Sequence, residues 1–424
     1  GDWLHRLRPP LETISLAGMG IAGGTDMAHF FNATRSPRSA LYASRRLLRH
    51  GWQRVRAGRG QHLVNGNALV ARLLRSALDA GVTFQLNAPV ERLLASGNGV
   101  KGAILRSDDG RIEVRAGAVI LACGGFPHDR QRLAENVPHA ASGYGHFSAA
   151  PPGNQGEGIR LGETVGGQFD TTLRHAMAWA PVSRVTQASG LQLGFPHLVE
   201  RAKPGFIAVL PNGKRFTNEA DSYHDFIAAL LEATPPGEAP QAWLIGDSRA
   251  LRRYGLGHAR PFPFAPESWR RTGYLYVGET LEALAKACAI DSQQLAETIA
   301  RFNGFVDQGE DKDYQRGASA YNRAQGDASR SPHPTLGKLS RAPFYAVRIL
   351  PGSLGSFSGL ITDENARVLN AQQQPIQGLY AIGNDMSSVM RGFYPSGGIT
   401  LGPAMTFGYM VGKKLAENIN KATQ

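Results

Sequence analysis

The residues best suited to chemistry lie close together near the C-terminus, where Tyr394, Ser396 and Gly398 fall within five positions of Tyr394-Pro395-Ser396-Gly397-Gly398. A phenol beside free backbone N–H groups suits an electron-rich ring or an oxyanion. A tyrosine set between proline and glycines is also poorly placed to be a packed core residue. The surrounding segment, Gly378 to Ala416, supplies the support. An apolar strand (Leu379 to Ile382) enters a glycine-rich turn, crosses the polar loop that holds Tyr394, and continues into a helix expected to begin with Gly397-Gly398-Ile399-Thr400. A helix N-terminus offers unpaired N–H groups and partial positive charge, which suit an electron-rich ring. This reads as one wall of a flavin site.

Other elements must position that wall. Asn67 to Ala80 has apolar residues at helical spacing and stops at Gly81, a C-terminal glycine. Short β-rich runs follow at Val82 to Leu86, Val90 to Leu94, Val100 to Arg106 and Arg111 to Arg115, with hairpin turns at Asn98-Gly99 and Asp109-Gly110. Ala118 to Ala122 is continuously apolar and breaks at Gly124-Gly125-Phe126, the pattern of a buried parallel strand reaching a ligand edge. Further on, Gly205 to Phe216 reads as a hairpin around Pro211-Asn212-Gly213, and Trp243 to Ile245 as a short strand. Thr280 to Cys288 and Ser292 to Val306, the latter capped by Asp291, read as a helical pair, and Asp307 to Pro334 as a long polar loop.

Composition narrows the function classes. The 424 residues suffice for two or three domains, and 42% hydrophobic residues support a sizeable core. No run approaches the roughly 20 apolar residues of a membrane span, so no transmembrane segment is expected. Cys123 and Cys288 are far apart and lack metal-ligand spacing, which argues against a metal site or disulfide framework; a cytoplasmic location is the default expectation. The formal charge of +12 is arginine-rich, as in Arg45 to Arg49 and Arg249 to Arg253, where helical spacing favours solvated faces over an anionic partner. No recognition motif accompanies the charge, so no nucleic acid partner is expected.

Several blocks together carry a resemblance: GNALVARL (Gly66 to Leu73), VILACGGF (Val119 to Phe126), GEGIRLGETVGG (Gly156 to Gly167), NGKRFTNEA (Asn212 to Ala220) and the sequence from Leu336 onward. The chain resembles the FAD-dependent flavoproteins of the fumarate reductase and 3-ketosteroid dehydrogenase superfamily over nearly its whole length. The resemblance implies an α/β fold with α+β elements: a Rossmann-like FAD-binding domain formed by residues 1–165 and 336–424, interrupted by a substrate (cap) domain at 166–335. That family opens with a strand, a GxGxxG turn and a helix. Gly18 to Gly24 is glycine-rich but follows no β-branched strand, so the FAD-binding domain is expected to be incomplete, lacking an N-terminal segment.

The branch is read from two positions. Where fumarate reductases carry a histidine this chain has Gly355, and where they have Asn-Arg-Leu-Gly-Gly it has Tyr394-Pro395-Ser396-Gly397-Gly398. A dicarboxylate would lack its cationic clamp. The tyrosine element instead is similar to that of ketosteroid dehydrogenases, which implies that Tyr394 and Gly398 bind a ketone oxygen while the flavin accepts a hydride; Ser396 resembles the Δ4-(5α) branch. The implied substrate is a small apolar, steroid-like ketone, with a separate electron acceptor. A second tyrosine is implied for the proton, with Tyr254 the first candidate, its pKa expected to be lowered by Arg252 or Arg253, and Tyr223 the second. Another enone or unsaturated acid as substrate, or a non-catalytic fragment, are the alternatives. The resemblance further implies FAD contacts from Val90, Cys123, Gly124, Gly383, Asn384, Asp385, Gly398, Thr400 and Leu401. Residue chemistry alone also allows Gly383 and Gly397 simple turns, Cys123 an apolar role and Asp385 a loop cap. Arg215 and Glu219 are expected to pair as a structural brace.

Overall fold

Two sheets organise the chain in the computed structural model, which describes residues 2–422 except 11–14, 98, 109, 187–189 and 191. The first has six strands, in the order Arg367–Leu369, Pro375–Ala381, Gly99–Ser107 and Val90–Ser96, with Gly110–Arg115 beside Gly99–Ser107 and Val119–Leu121 beside Pro375–Ala381. Its key pairing is parallel: Leu379, Tyr380 and Ala381 lie opposite Val119, Ile120 and Leu121. Leu121, Leu379 and Ala381 are almost fully buried, as their apolar runs require. Parallel pairing sends both chains out of the same sheet edge, so the turns beginning at Cys123 and Gly383 emerge side by side.

The second sheet has seven strands and runs Phe206–Val209, Ala242–Asp247, Phe344–Ser356, Met177–Thr186 and Gln192–Pro196, with Tyr276–Gly278 and Phe147–Ser148 also on the Phe344–Ser356 strand. That 13-residue central strand carries the chain from this sheet back towards the first, ending beside the site described below. The helices Leu281–Cys288 and Ser292–Gln308 pack Leu284, Leu295, Ile299 and Phe302 against Ile207, Val209, Trp243 and Ile245. Thr280 and Asp291 cap them through their side chains, Asp291 as its sequence position predicts.

Several expectations need adjustment. Val82 to Leu86 forms no strand: it is a connecting stretch after the helix Asn65–Asp79, and Val82 and Leu86 are exposed. Asn98 and Asp109 of the two hairpin turns lie outside the described residues. In the Gly205 to Phe216 hairpin only a single bridge joins Val209 to Arg215, because Phe206–Val209 takes Ala242–Asp247 as its partner instead. The polar stretch after Asp307 contains a short helix, Ala320–Gln325, capped by Ser319. The second sheet reaches beyond residues 166–335 on both sides, through Phe147–Ser148 and Phe344–Ser356.

Near the N-terminus, Met19–Gly20 pairs antiparallel with Ser15–Leu16, so the glycine-rich run there does not follow a parallel strand. C-terminally, the helix spans Leu401–Ala422 and is preceded by a turn over Gly397 to Thr400, four residues later than the sequence suggests. A positive φ of 96° at Gly398 explains the delay, since that conformation cannot belong to an α-helix.

Candidate active site

Tyr394 lies in an apolar shell formed by Ala178, Ala180, Tyr223, Phe357 and Ile399. It is only 5% exposed, so the loop bearing it is folded inward and the expectation of a tyrosine outside the packed core is corrected. Its flanking residues Phe393, Pro395 and Ser396 remain exposed, which is how a proline- and glycine-rich loop can bury one ring alone. The Tyr394 hydroxyl is not left idle. It is hydrogen-bonded to that of Tyr223, with ring centroids 4.8 Å apart and an interplanar angle of 63°.

Tyr223 is the first residue of the helix Tyr223–Ala233, whose N-cap Ser222 accepts a hydrogen bond from Asp225. The next residue, His224, stacks on Tyr394 at 6.0 Å and 25°. Its Nδ1 accepts from the Trp179 backbone N–H, which fixes the imidazole as the Nε2–H tautomer. Burial holds His224 down at about 3, so it stays neutral. Burial raises the Tyr394 phenol above its ordinary value, and raises Tyr223 further still, where the bond to Tyr394 adds to the burial. Both phenols are therefore protonated at neutral pH.

Tyr254 is elsewhere. Its hydroxyl donates to Asp327 at 2.7 Å and its ring packs towards Phe206, while Arg253 binds the same carboxylate. The expected lowering of its pKa is reversed: burial and the bond to Asp327 raise it, outweighing the Arg253 charge. Of the two tyrosines, it is the second choice, Tyr223, and not Tyr254, that lies against Tyr394. One signal could have ranked them: Tyr223 follows the NGKRFTNEA block directly, whereas Tyr254 sits in no matched block.

Beside the tyrosine pair is a cavity, of about 310 Å³ including its open mouth, lined by Ser356, Gly383, Asn384 and Thr400 on its polar side and by Met386, Pro403 and Phe407 on its apolar side. Phe357 and Ile399 belong both to this cavity and to the Tyr394 shell. The cavity brings together Gly383, Asn384 and Thr400, three of the residues assigned to the cofactor. Leu401 and Gly398 are exposed next to it, and the N–H groups of Gly398, Ile399 and Thr400 have no acceptor among the described residues.

Cys123 and Gly124 emerge next to this cluster, with Gly124 at a φ of 94°. Burial and Asp385 push the Cys123 thiol up to about 11, so it is not a ready nucleophile. Asp385 itself is fully buried and accepts hydrogen bonds from the N–H groups of Cys123 and Gly125, the latter at 3.0 Å. Its carboxylate clamps the two strand ends together, which is the loop-capping role. Val90 pairs with Leu105, and because Gly99–Ser107 runs parallel to Pro375–Ala381 from the Gly99–Gln377 link, both lie towards the end of the sheet from which Gly383 emerges, although Val90 does not line the cavity.

Arg215 and Glu219 form a buried bidentate pair at 2.7 and 2.9 Å, extended by Asp311 and Arg316. No part of this network lines the cavity, so it is a brace and not a substrate clamp.

The cavity residues fit a flavin ring. Asn384, Thr400 and the unpaired N–H groups supply polar contacts along one edge, while Phe357, Ile399, Pro403 and Phe407 supply apolar walls. The approaching strand is bare at Gly355, where a Cβ would lie 2.3 Å from the Asn384 side-chain amide and displace it. Among the described residues no helix is long and apolar enough to cross a membrane.

Comparison with known proteins agrees with this geometry. The chain is 36% identical over 418 residues to a 4-oxocyclohex-2-ene-1-carboxylate 5-dehydrogenase of Sinomonas cyclohexanicum, covering 98% of this chain and 70% of that protein. It is 35% identical to a 3-oxosteroid 1-dehydrogenase of Mycolicibacterium smegmatis, over 98% and 73% of the two chains. In structure it is similar to the 3-ketosteroid Δ1-dehydrogenase of Sterolibacterium denitrificans, solved with 1,4-androstadiene-3,17-dione, with a TM-score of 0.87, 32% identity and coverage of 99% and 75%. The family model for the FAD binding domain matches residues 2–401, and the chain therefore belongs to this family of flavoprotein oxidoreductases, with FAD as its cofactor.

Proposed function

We propose that the chain catalyses FAD-dependent dehydrogenation of the carbon–carbon bond next to a ring ketone, with a 3-ketosteroid as substrate. The observation that carries this reading is the hydroxyl-to-hydroxyl bond between Tyr223 and Tyr394 inside an apolar shell beside the cavity. Relatives named for 3-oxosteroid 1-dehydrogenation support it, and they favour oxidation at the Δ1 position over the Δ4-(5α) position suggested by Ser396, which is exposed.

Each residue then has a role. Tyr394 donates its O–H to the ketone oxygen, and the Gly398 N–H donates from the turn before the helix. Together they stabilise enolate character as an adjacent carbon loses its proton. Tyr223 takes that proton in its ionised form, its own proton having first passed to solvent, and so returns to the neutral phenol that donates to Tyr394. His224 stacks on Tyr394 and holds the ring at its angle. Gly383, Asn384, Thr400 and Leu401 would hold FAD, which when bound would supply the acceptor for the hydride. The apolar shell keeps water from the enolate.

A smaller substrate is the second reading, favoured by the relative named for a 4-oxocyclohexene carboxylate. Both readings place the ketone at Tyr394. The test is anaerobic flavin bleaching by 4-androstene-3,17-dione and by 4-oxocyclohexane carboxylate, monitored by stopped flow. Bleaching by the steroid supports the first reading, bleaching by the acid alone supports the second, and bleaching by neither defeats both.

A further inference from the structure

A second cleft, of about 1,050 Å³ including its open mouth, lies between the N-terminal segment and the helix Pro37–Ala57. It shares no residue with the flavin cavity. His5, His50, Arg54, Arg59 and His62 line it, and among the described residues no aspartate or glutamate does. Two arginines and three histidines converge there.

The basic groups are held in place by backbone. Arg59 Nη1 donates to the carbonyl of Leu7 at 2.8 Å and also to that of Leu4. Arg54 points to the Ala17 carbonyl, which His50 Nε2 also meets at 3.1 Å. These contacts fix position, and their acceptors are carbonyls, which carry no net charge. The nearby acid, Asp26, is already taken by Arg46 at 2.9 Å. The field is felt by His62, which partial burial and then Arg46 and Arg49 hold below its ordinary pKa, against the pull of Asp26.

Glycines let the walls of the cleft pack closely. A Cβ at Gly60 would come within 2.5 Å of His50 Nδ1, and one at Gly20 within 2.7 Å of Val64 Cγ2. The 15-residue helix Asn65–Asp79 starts at the same cleft, where its N-cap, Val64, offers no side-chain acceptor and the first turn carries no acid. Its partial positive charge adds to that of the side chains.

We propose that this cleft binds a phosphate-bearing small molecule independently of the flavin site. Two guanidinium groups with a helix N-terminus match the charge and directionality of phosphate oxygens, and the space admits a nucleotide as well as a free polyphosphate.

The proposal is tested on the flavin-loaded protein by isothermal titration with tripolyphosphate and with ATP, at constant ionic strength set with chloride. Saturable binding of at least one is expected, weakened about tenfold or more by Arg54→Glu, which loses one charge-assisted contact and gains a repulsion. His62→Glu, on the exposed lip, is the companion variant should Arg54→Glu fold poorly, as judged by thermal melting. Ketone-dependent flavin bleaching is expected to be unchanged in both. Equal affinity for the two probes assigns the cleft to phosphates alone, and tighter ATP assigns the nucleoside to it as well. Absence of saturable binding, wild-type binding by both variants, or release of flavin on addition of the probes would each overturn the proposal.

Discussion

The hydroxyl groups of Tyr223 and Tyr394, 171 residues apart in sequence, are hydrogen-bonded to each other in a shell of apolar side chains. One ring comes from the start of a helix and the other from a glycine-rich loop, so the contact exists only when the two parts of the chain are docked. Dehydrogenation next to a ketone needs an acid at oxygen and a base at carbon. Two phenols in contact can hold both assignments.

Removal of either hydroxyl separates these roles. Tyr394→Phe and Tyr223→Phe are each expected to slow steroid-dependent flavin bleaching by about 10²-fold or more, the usual magnitude for an oxyanion donor or a general base. Flavin absorbance and affinity should be unaltered in both. Tyr254→Phe, bonded to Asp327 away from the cavity, should change the bleaching rate less than about twofold, within the small effect of losing a remote hydrogen bond. A large loss in Tyr254→Phe by stopped flow would reinstate it as the proton-transfer residue.

The pH dependence follows from the same burial. Both phenols have raised pKa values, so at pH 7 the ionised form is a small fraction that increases about tenfold per pH unit. The bleaching rate at low substrate should therefore climb continuously from pH 6 to pH 10 without a plateau. Tyr223→Phe should flatten that rise. A plateau beginning near pH 7 would show that a different base, such as a histidine, controls the step.

The buried Arg215–Glu219–Arg316 cluster has a structural consequence. Burial alone would raise the Glu219 pKa, but Arg215 and Arg316 hold it down at about 2. A carboxylate whose folded pKa is depressed below its unfolded value near 4.5 contributes stability above that value and loses it as pH falls towards 2. Glu219→Ala leaves Arg316 buried without its carboxylate and Arg215 with Asp311 alone, and should cost about 3–5 kcal/mol in urea unfolding at pH 7. The penalty of the variant relative to wild type should shrink as pH is lowered from 4.5 towards 2.

How far the site could be read from the chain depended on the range of the interactions. The strand Val119–Leu121, the turn at Gly383 and the pairing of Arg215 with Glu219 are visible locally, in apolar runs, in glycines and in i,i+4 spacing. The partner of Tyr394 is not. Tyr223 and Tyr254 are both tyrosines at helix ends, and only tertiary docking sends one hydroxyl to Tyr394 and the other to Asp327. Burial of Tyr394 was hidden for the same reason, since its shell is built from the distant residues Ala178, Ala180 and Phe357. Val82 to Leu86 has strand composition without a strand neighbour, and composition alone cannot supply one.

Asp385 links the two halves of the cofactor wall, and its replacement tests whether the wall is assembled by that single carboxylate. Both its oxygens accept backbone N–H groups, from Cys123 and Gly125, and its side chain packs against Gly158, where a Cβ would come within 2.4 Å. Asp385→Asn keeps the volume but presents an NH₂ to one of the two N–H donors, so one bond becomes a repulsion. Losing a charge-assisted bond and leaving a buried N–H unpaired costs on the order of 1.5–3 kcal/mol. If that strain falls on the Cys123 and Gly383 turns, flavin affinity measured by fluorescence titration should drop about tenfold to a hundredfold, with little change in the melting of the flavin-free protein. An equal loss of stability with unchanged flavin affinity would instead make Asp385 a brace of the sheet edge alone.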